Sequence, residues 1–189
     1  MAVDLPNVHE QALQHTGRYV AGVNDGQWHD ATPDEAWDVR TLVNHIVSGN
    51  FWVAPLVDGK TIDEVGDRYD GDILGDDPVE AYQRSAKEAA AAFNASGAMA
   101  APCAVSYGPV PGEIYAGHRF IDVLIHGWDL AKATGQDATL PAGLVEAAFE
   151  VVEPQKDLLA ASGMFGSNVN VAADADRQTR LLGELGRQA

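Results

Sequence analysis

A single cysteine, Cys103, in 189 residues excludes an intramolecular disulfide and any cluster of thiolate ligands. Basic residues are also few. Twelve Lys and Arg stand against 28 Asp and Glu, a formal charge of −16, so the cationic footprint needed for nucleic acid or an anionic membrane surface is missing. No stretch approaches the roughly 18 consecutive apolar residues of a membrane span. The opening MAVDLPNVHE has neither the positive start nor the apolar run of a secretory signal. Together these absences predict a cytoplasmic protein with no nucleic-acid and no membrane partner, which leaves a small-molecule substrate and a homodimer open. What is present is 46% hydrophobic residues, rich in Ala, which excludes a disordered acidic chain and favours helices. The length suits one domain over residues 1–189.

Apolar periodicity organises the chain. Leu5, Val8, Leu13, Tyr19 and Val20 mark a first helix from about Leu5 to Val23, ending at Asn24-Asp25-Gly26. A second begins after Thr32-Pro33, carries the stripe Val39, Leu42, Val43, Ile46, Val47, and is expected to end near Pro55. Asp58 to Asp77 reads as a long acidic connection with a solvated face. Asp77 as N-cap, Pro78 at the first helical position and Glu80 at the third start a helix that runs to Gly97. Ala98 to Gly112 holds three prolines and reads as a loop with at most one short strand. Glu113 to Thr134 is apolar around much of its circumference and closes at Gly135, which predicts a central buried helix. A fifth helix spans about Ala142 to Ser162 with an interruption at Pro154. Asn168 to Val171 reads as extended, and Arg177 to Gly186 as a last short helix. The fold class expected is therefore all-α, a four-helix bundle with extra short C-terminal elements.

Of the six histidines, His118 and His126 share a side of the fourth helix with Asp122, at i, i+8 and i+4, each step about 6 Å along the axis. A carboxylate and an imidazole on so apolar a helix need a partner, because burying either alone costs several kcal/mol. An acid and a His at i, i+4 can share one divalent ion. A third ligand should come from a facing helix, and His45, at the edge of the second helix's apolar stripe, is the candidate. A satisfied core histidine remains the alternative reading of each.

Trp37-Asp38-Val39-Arg40-Thr41-Leu42-Val43-Asn44-His45 and Asp122-Val123-Leu124-Ile125-His126-Gly127-Trp128-Asp129-Leu130-Ala131-Lys132-Ala133-Thr134-Gly135 resemble the two signature segments of the mycothiol-dependent maleylpyruvate isomerase metal-binding domain group. That group belongs to the DinB/YfiT-like superfamily of four-helix bundles found in actinobacteria. Val171 to Asp176 with Arg180-Leu181-Leu182-Gly183 resembles the end of its stand-alone members. The resemblance implies one divalent ion, zinc or nickel, held by His45, Asp122 and His126, and mycothiol as thiol cosubstrate. Asp122 stands where the characterised isomerase has a glutamate and many DinB proteins a histidine. The isomerase carries an additional C-terminal domain for which 189 residues leave no room, so maleylpyruvate isomerisation itself is not implied.

Other residues carry two readings each. His118 is a further ligand or, preferably, part of the pocket mouth. Asp129 orients either His126 or Arg40, and an Arg40–Asp129 ion pair is one expectation. Trp37, Trp52 and Trp128 line a ligand pocket or pack in the core. Cys103 has no basic neighbour in sequence and apolar surroundings, which favours inert packing over nucleophilic work. Three protein ligands leave a coordination position open, as in catalytic sites. The leading expectation is a mycothiol-dependent transferase or isomerase acting on an unknown electrophile. A metal-dependent hydrolase using metal-bound hydroxide and a non-catalytic metal-bound binding protein are the alternatives.

Overall fold

The computed structural model describes residues 3–155, 169–172 and 174–188. The chain forms two compact units, residues 4–138 and a smaller one built mainly from residues after 138.

In the larger unit four long helices carry the core: α1 (Leu5–Ala21), α2 (Val39–Val57), α4 (Pro78–Phe93) and α5 (Gly112–Thr134), with a single-turn α3 (Ile62–Val65) between the second and third of them. The long helices pack cyclically, α1 on α5, α5 on α2, α2 on α4 and α4 on α1, so each apolar stripe faces two others. The stripe read on α2 is completely buried from Val39 through Val47 at all five of its positions. Phe120, Val123, Leu124, Ile125 and Leu130 do the same on α5. At one crossing the helices approach closely. A Cβ on Gly127 of α5 would fall 2.2 Å from Thr16 Oγ1 of α1, and that hydroxyl donates to the Val123 carbonyl at 3.0 Å.

Helix starts follow the caps. Asp77 accepts from the Glu80 amide at 2.9 Å, with Pro78 in the first turn, and Asp38 accepts from the Thr41 amide at 2.8 Å to open α2. Gly135 takes the left-handed conformation (φ 69°) at the end of α5, as expected. Several boundaries differ from the sequence expectation. α1 stops at Ala21 and α4 at Phe93, ahead of the flanking glycines. α2 continues past Pro55 to Val57, since a proline in the last turn forfeits one hydrogen bond there rather than a run of them. The segment 98–112 holds two strands, not one at most: β1 (Pro102–Val105) pairs antiparallel with β2 (Gly108–Pro111) around a tight turn at Ser106-Tyr107. Gly108, at φ 115°, supplies the backbone conformation that this turn requires.

The acidic connection is pinned rather than simply solvated. Arg40 on α2 grips Asp72 with Nε at 2.9 Å and Nη2 at 2.7 Å. One turn on, Asn44 donates to the Gly71 carbonyl (2.8 Å) and accepts from the Ile73 amide (2.9 Å). Another turn on, Ser48 donates to the Tyr69 carbonyl at 3.1 Å. Thr61 and Glu64 form a reciprocal capping box on α3.

In the smaller unit α6 (Ala142–Val152) gives way to a 3-10 turn at Glu153–Gln155, where Pro154 interrupts it as expected, and α7 covers Arg177–Glu184. The expected continuation of the fifth helix to Ser162, and Asn168, lie outside the described residues. Arg177 lies 3.7 Å over the Phe149 ring and pairs with Glu146 at 2.7 Å. Val169 donates its amide to the Gly183 carbonyl at 2.9 Å.

Candidate metal centre

His45 projects from the second turn of α2, and Asp122 and His126 from adjacent turns of α5. The three meet. His45 Nε2 lies 3.2 Å and His126 Nε2 3.6 Å from the same carboxylate oxygen, Asp122 Oδ1. One donor atom from each residue falls within 4.8 Å of the others. Donors about 2.0–2.2 Å from a tetrahedral ion stand roughly 3.3–3.5 Å apart, so the set fits a small divalent cation. The His45 side chain is 37% exposed and that of Asp122 19%, against 5% for His126. The cluster thus opens on the α2 side and is closed beneath.

His126 is oriented from behind. Its Nδ1 is 3.1 Å from Oδ2 of the fully buried Asp129. A carboxylate only accepts, so Nδ1 is the donor to Asp129, and Nε2 is the ring nitrogen turned toward Asp122. Arg40 does not reach Asp129. The guanidinium pairs with the exposed Asp72 at 2.7 Å, and Asp129 serves His126 instead.

Asp122 is held ionised. Burial pushes its carboxyl up, but the Arg119 charge, with smaller contributions from His45 and His126, outweighs it and keeps the group well below the usual carboxylate range. Arg119 Nη1 donates to Asp122 Oδ2 at 2.8 Å. The same guanidinium donates through Nη2 to Asn50 Oδ1 at 3.1 Å, and Asn50 donates to Ser85 Oγ at 3.3 Å. This buried network went unread in the sequence. Its signal was there, since Arg119 stands one turn before Asp122 on a helix too apolar to leave a guanidinium unpaired.

Trp37, just ahead of the α2 cap, forms a wall. Its ring centroid is 4.6 Å from that of His45 and 5.4 Å from that of His126. Trp128 is instead core, 2% exposed, and Trp52 packs edge-on to Tyr69. His118, four residues before Asp122, hydrogen-bonds through Nδ1 to the Tyr107 hydroxyl at the hairpin tip and is not one of the converging donors. Burial pushes the Cys103 thiol up, which agrees with inert packing.

Comparison with known proteins places the chain in a family. The sequence profile of the mycothiol maleylpyruvate isomerase N-terminal domain matches residues 9–131, which include all three donors. The chain belongs to that family. Two uncharacterized proteins of Mycobacterium tuberculosis, from strains CDC 1551 and H37Rv, are each 34% identical to it over 155 residues, covering 78% of this chain and 79% of theirs. The crystal structure of the mycothiol-dependent maleylpyruvate isomerase superposes with a TM-score of 0.64 over 87% of this chain and 72% of that one, at 14% identity. A mutant of the same enzyme gives the same values. At that identity the likeness shows the fold, and the helical bundle of this family member is a shared one.

Proposed function

We propose that this family member is a divalent-metal protein, with His45, Asp122 and His126 as its ligands and zinc or nickel as the ion, that uses mycothiol as cosubstrate to transfer to, or isomerise, a small electrophile. The observation that carries the reading is the convergence of two imidazole nitrogens on one carboxylate oxygen, 3.2 and 3.6 Å away, with His45 partly exposed. Three protein donors leave a position for an exogenous ligand, and an ion bound there supplies Lewis acidity that favours a thiolate over a thiol at neutral pH. The chain's own groups prepare that position. Arg119 keeps Asp122 anionic, Asp129 holds His126 with Nε2 forward, and Trp37 presents an apolar face beside both imidazoles. Membership of a family named for a mycothiol enzyme supports the choice of thiol.

Elemental analysis after reconstitution, followed by mycothiol titration of the cobalt-substituted protein, tests the reading. About one ion per chain and a thiol-dependent change in the visible spectrum are expected. His126→Ala should lose the ion, while His15→Ala, whose ring hydrogen-bonds Tyr19 on α1 at 2.9 Å, should keep it. Metal without a response to thiol, together with ester hydrolysis, would favour a hydrolase. Metal with neither would favour a binding protein.

A further inference from the structure

We infer that Arg119 is a positioning residue that makes Asp122 a one-oxygen ligand and, by sharing its charge, leaves the bound ion a stronger Lewis acid. The inference rests on the metal reading above.

The two carboxylate oxygens of Asp122 face different ways. Oδ1 points at the two imidazoles, and Oδ2 is taken by Arg119 Nη1 at 2.8 Å. A carboxylate with a free second oxygen can chelate an ion through both. One whose second oxygen accepts a charge-assisted hydrogen bond has a single oxygen to give. The guanidinium, always charged, also draws negative charge toward Oδ2 and away from the metal-facing atom.

The placement of Arg119 is over-determined, which a mere packing contact would not need. The residue is 7% exposed. Nη2 donates to Asn50 Oδ1 at 3.1 Å, with the Ile46 carbonyl at 3.5 Å, so the side chain is tied to α2 as well as to its own helix. Asn50 and Ser85 are both fully buried, and Ser85 Oγ donates in turn to the Tyr82 carbonyl on α4 at 2.9 Å. α2 makes room for the fork with a glycine. A Cβ on Gly49 would lie 2.3 Å from Nη1 and 2.6 Å from Cζ, so any side chain there displaces the group that holds Oδ2.

The test reads coordination rather than turnover. In the cobalt-substituted wild type an intense four-coordinate visible spectrum is expected, and carbon-13 aspartate infrared difference spectra should show the wide splitting of a one-oxygen carboxylate ligand. Arg119→Met and Gly49→Ala should both lose band intensity as Asp122 becomes a two-oxygen ligand, whereas Arg119→Lys, which keeps one donor and the charge, should retain more of it. Gly49→Ala touches no ligand and decides the matter if Arg119→Met does not fold. Wild-type spectra in both folded variants, or a narrow splitting in the wild type, would overturn the inference while leaving the metal reading intact. A wild type that takes up no cobalt would overturn both.

Discussion

His9 on α1 is fully buried, edge-on to Phe93 at 5.0 Å, and neither ring nitrogen has a hydrogen-bond partner among the described residues. Burial, reinforced by the Arg119 charge, lowers its pKa from 6.5 to about 3. The unfolded chain therefore binds a proton that the folded chain refuses between those values. Stability from this group is fully present above about 6.5 and is lost as pH falls toward 3, at roughly 1.4 kcal/mol per pH unit within the window. His9→Leu removes two unsatisfied polar atoms and should raise stability at pH 7 by about 1–3 kcal/mol while flattening that slope. Urea denaturation of both proteins at pH 7, 5 and 4 checks it, and an undiminished slope would place the proton uptake elsewhere. At the site, Asp129→Asn replaces the acceptor that sets the His126 tautomer with a group that can also donate. Zinc affinity by calorimetry should fall about 10- to 100-fold, and an unchanged affinity would show that His126 needs no support from Asp129.

At the scale of elements, the decisive contact is the crossing of α1 and α5. Gly127 sits where a Cβ would meet Thr16 Oγ1 at 2.2 Å and Thr16 Cβ at 3.1 Å. Gly127→Ala should destabilise by about 1–3 kcal/mol through overpacking. Adding Thr16→Ala should return part of that loss but not all, because the hydroxyl's bond to the Val123 carbonyl disappears with it. Additive losses in the double variant, measured by denaturant midpoints, would rule out a direct clash. The start of α2 shows how an element serves the site. Burial pushes the Asp38 carboxyl up, but hydrogen bonds from Thr41 and His29 outweigh it and bring the group to about 2, so the cap stays charged at neutral pH. Trp37, immediately before it, packs against His45 and His126, and its carbonyl accepts from the Thr32 hydroxyl at 2.9 Å.

In the larger unit the apolar core lies on α1, α2, α4 and α5, and of the three candidate donors only His126 is buried with it. The bundle should therefore outlast the proposed ion. Chelator at pH 7.5 is expected to leave the far-ultraviolet circular dichroism unchanged and to remove only the linkage increment, RT ln(1 + [M]/Kd), about 4 kcal/mol when free metal exceeds Kd a thousandfold. Lowering the pH should release the ion, since imidazole protons compete with it for the same lone pairs. Loss of helicity on chelation would make the ion structural and undercut a catalytic site.

Periodicity and caps along the chain determined the helices. The five-residue stripe of α2, the Asp77-Pro78-Glu80 start and the Gly135 stop are local, and local geometry places them. The Asp122/His126 pair was legible for the same reason, being one turn apart on one helix. His45 could be nominated from its stripe, but its meeting with Asp122 across 77 positions of sequence is a property of helix packing. Packing also decided what no spacing encodes: Arg40 turned to Asp72, Asp129 to His126, and the oxygens of Asp122 divided between Arg119 and the imidazoles. Each of these is a choice among partners within reach, settled by which side chains the folded helices bring to hydrogen-bond distance and which burial forbids to remain alone.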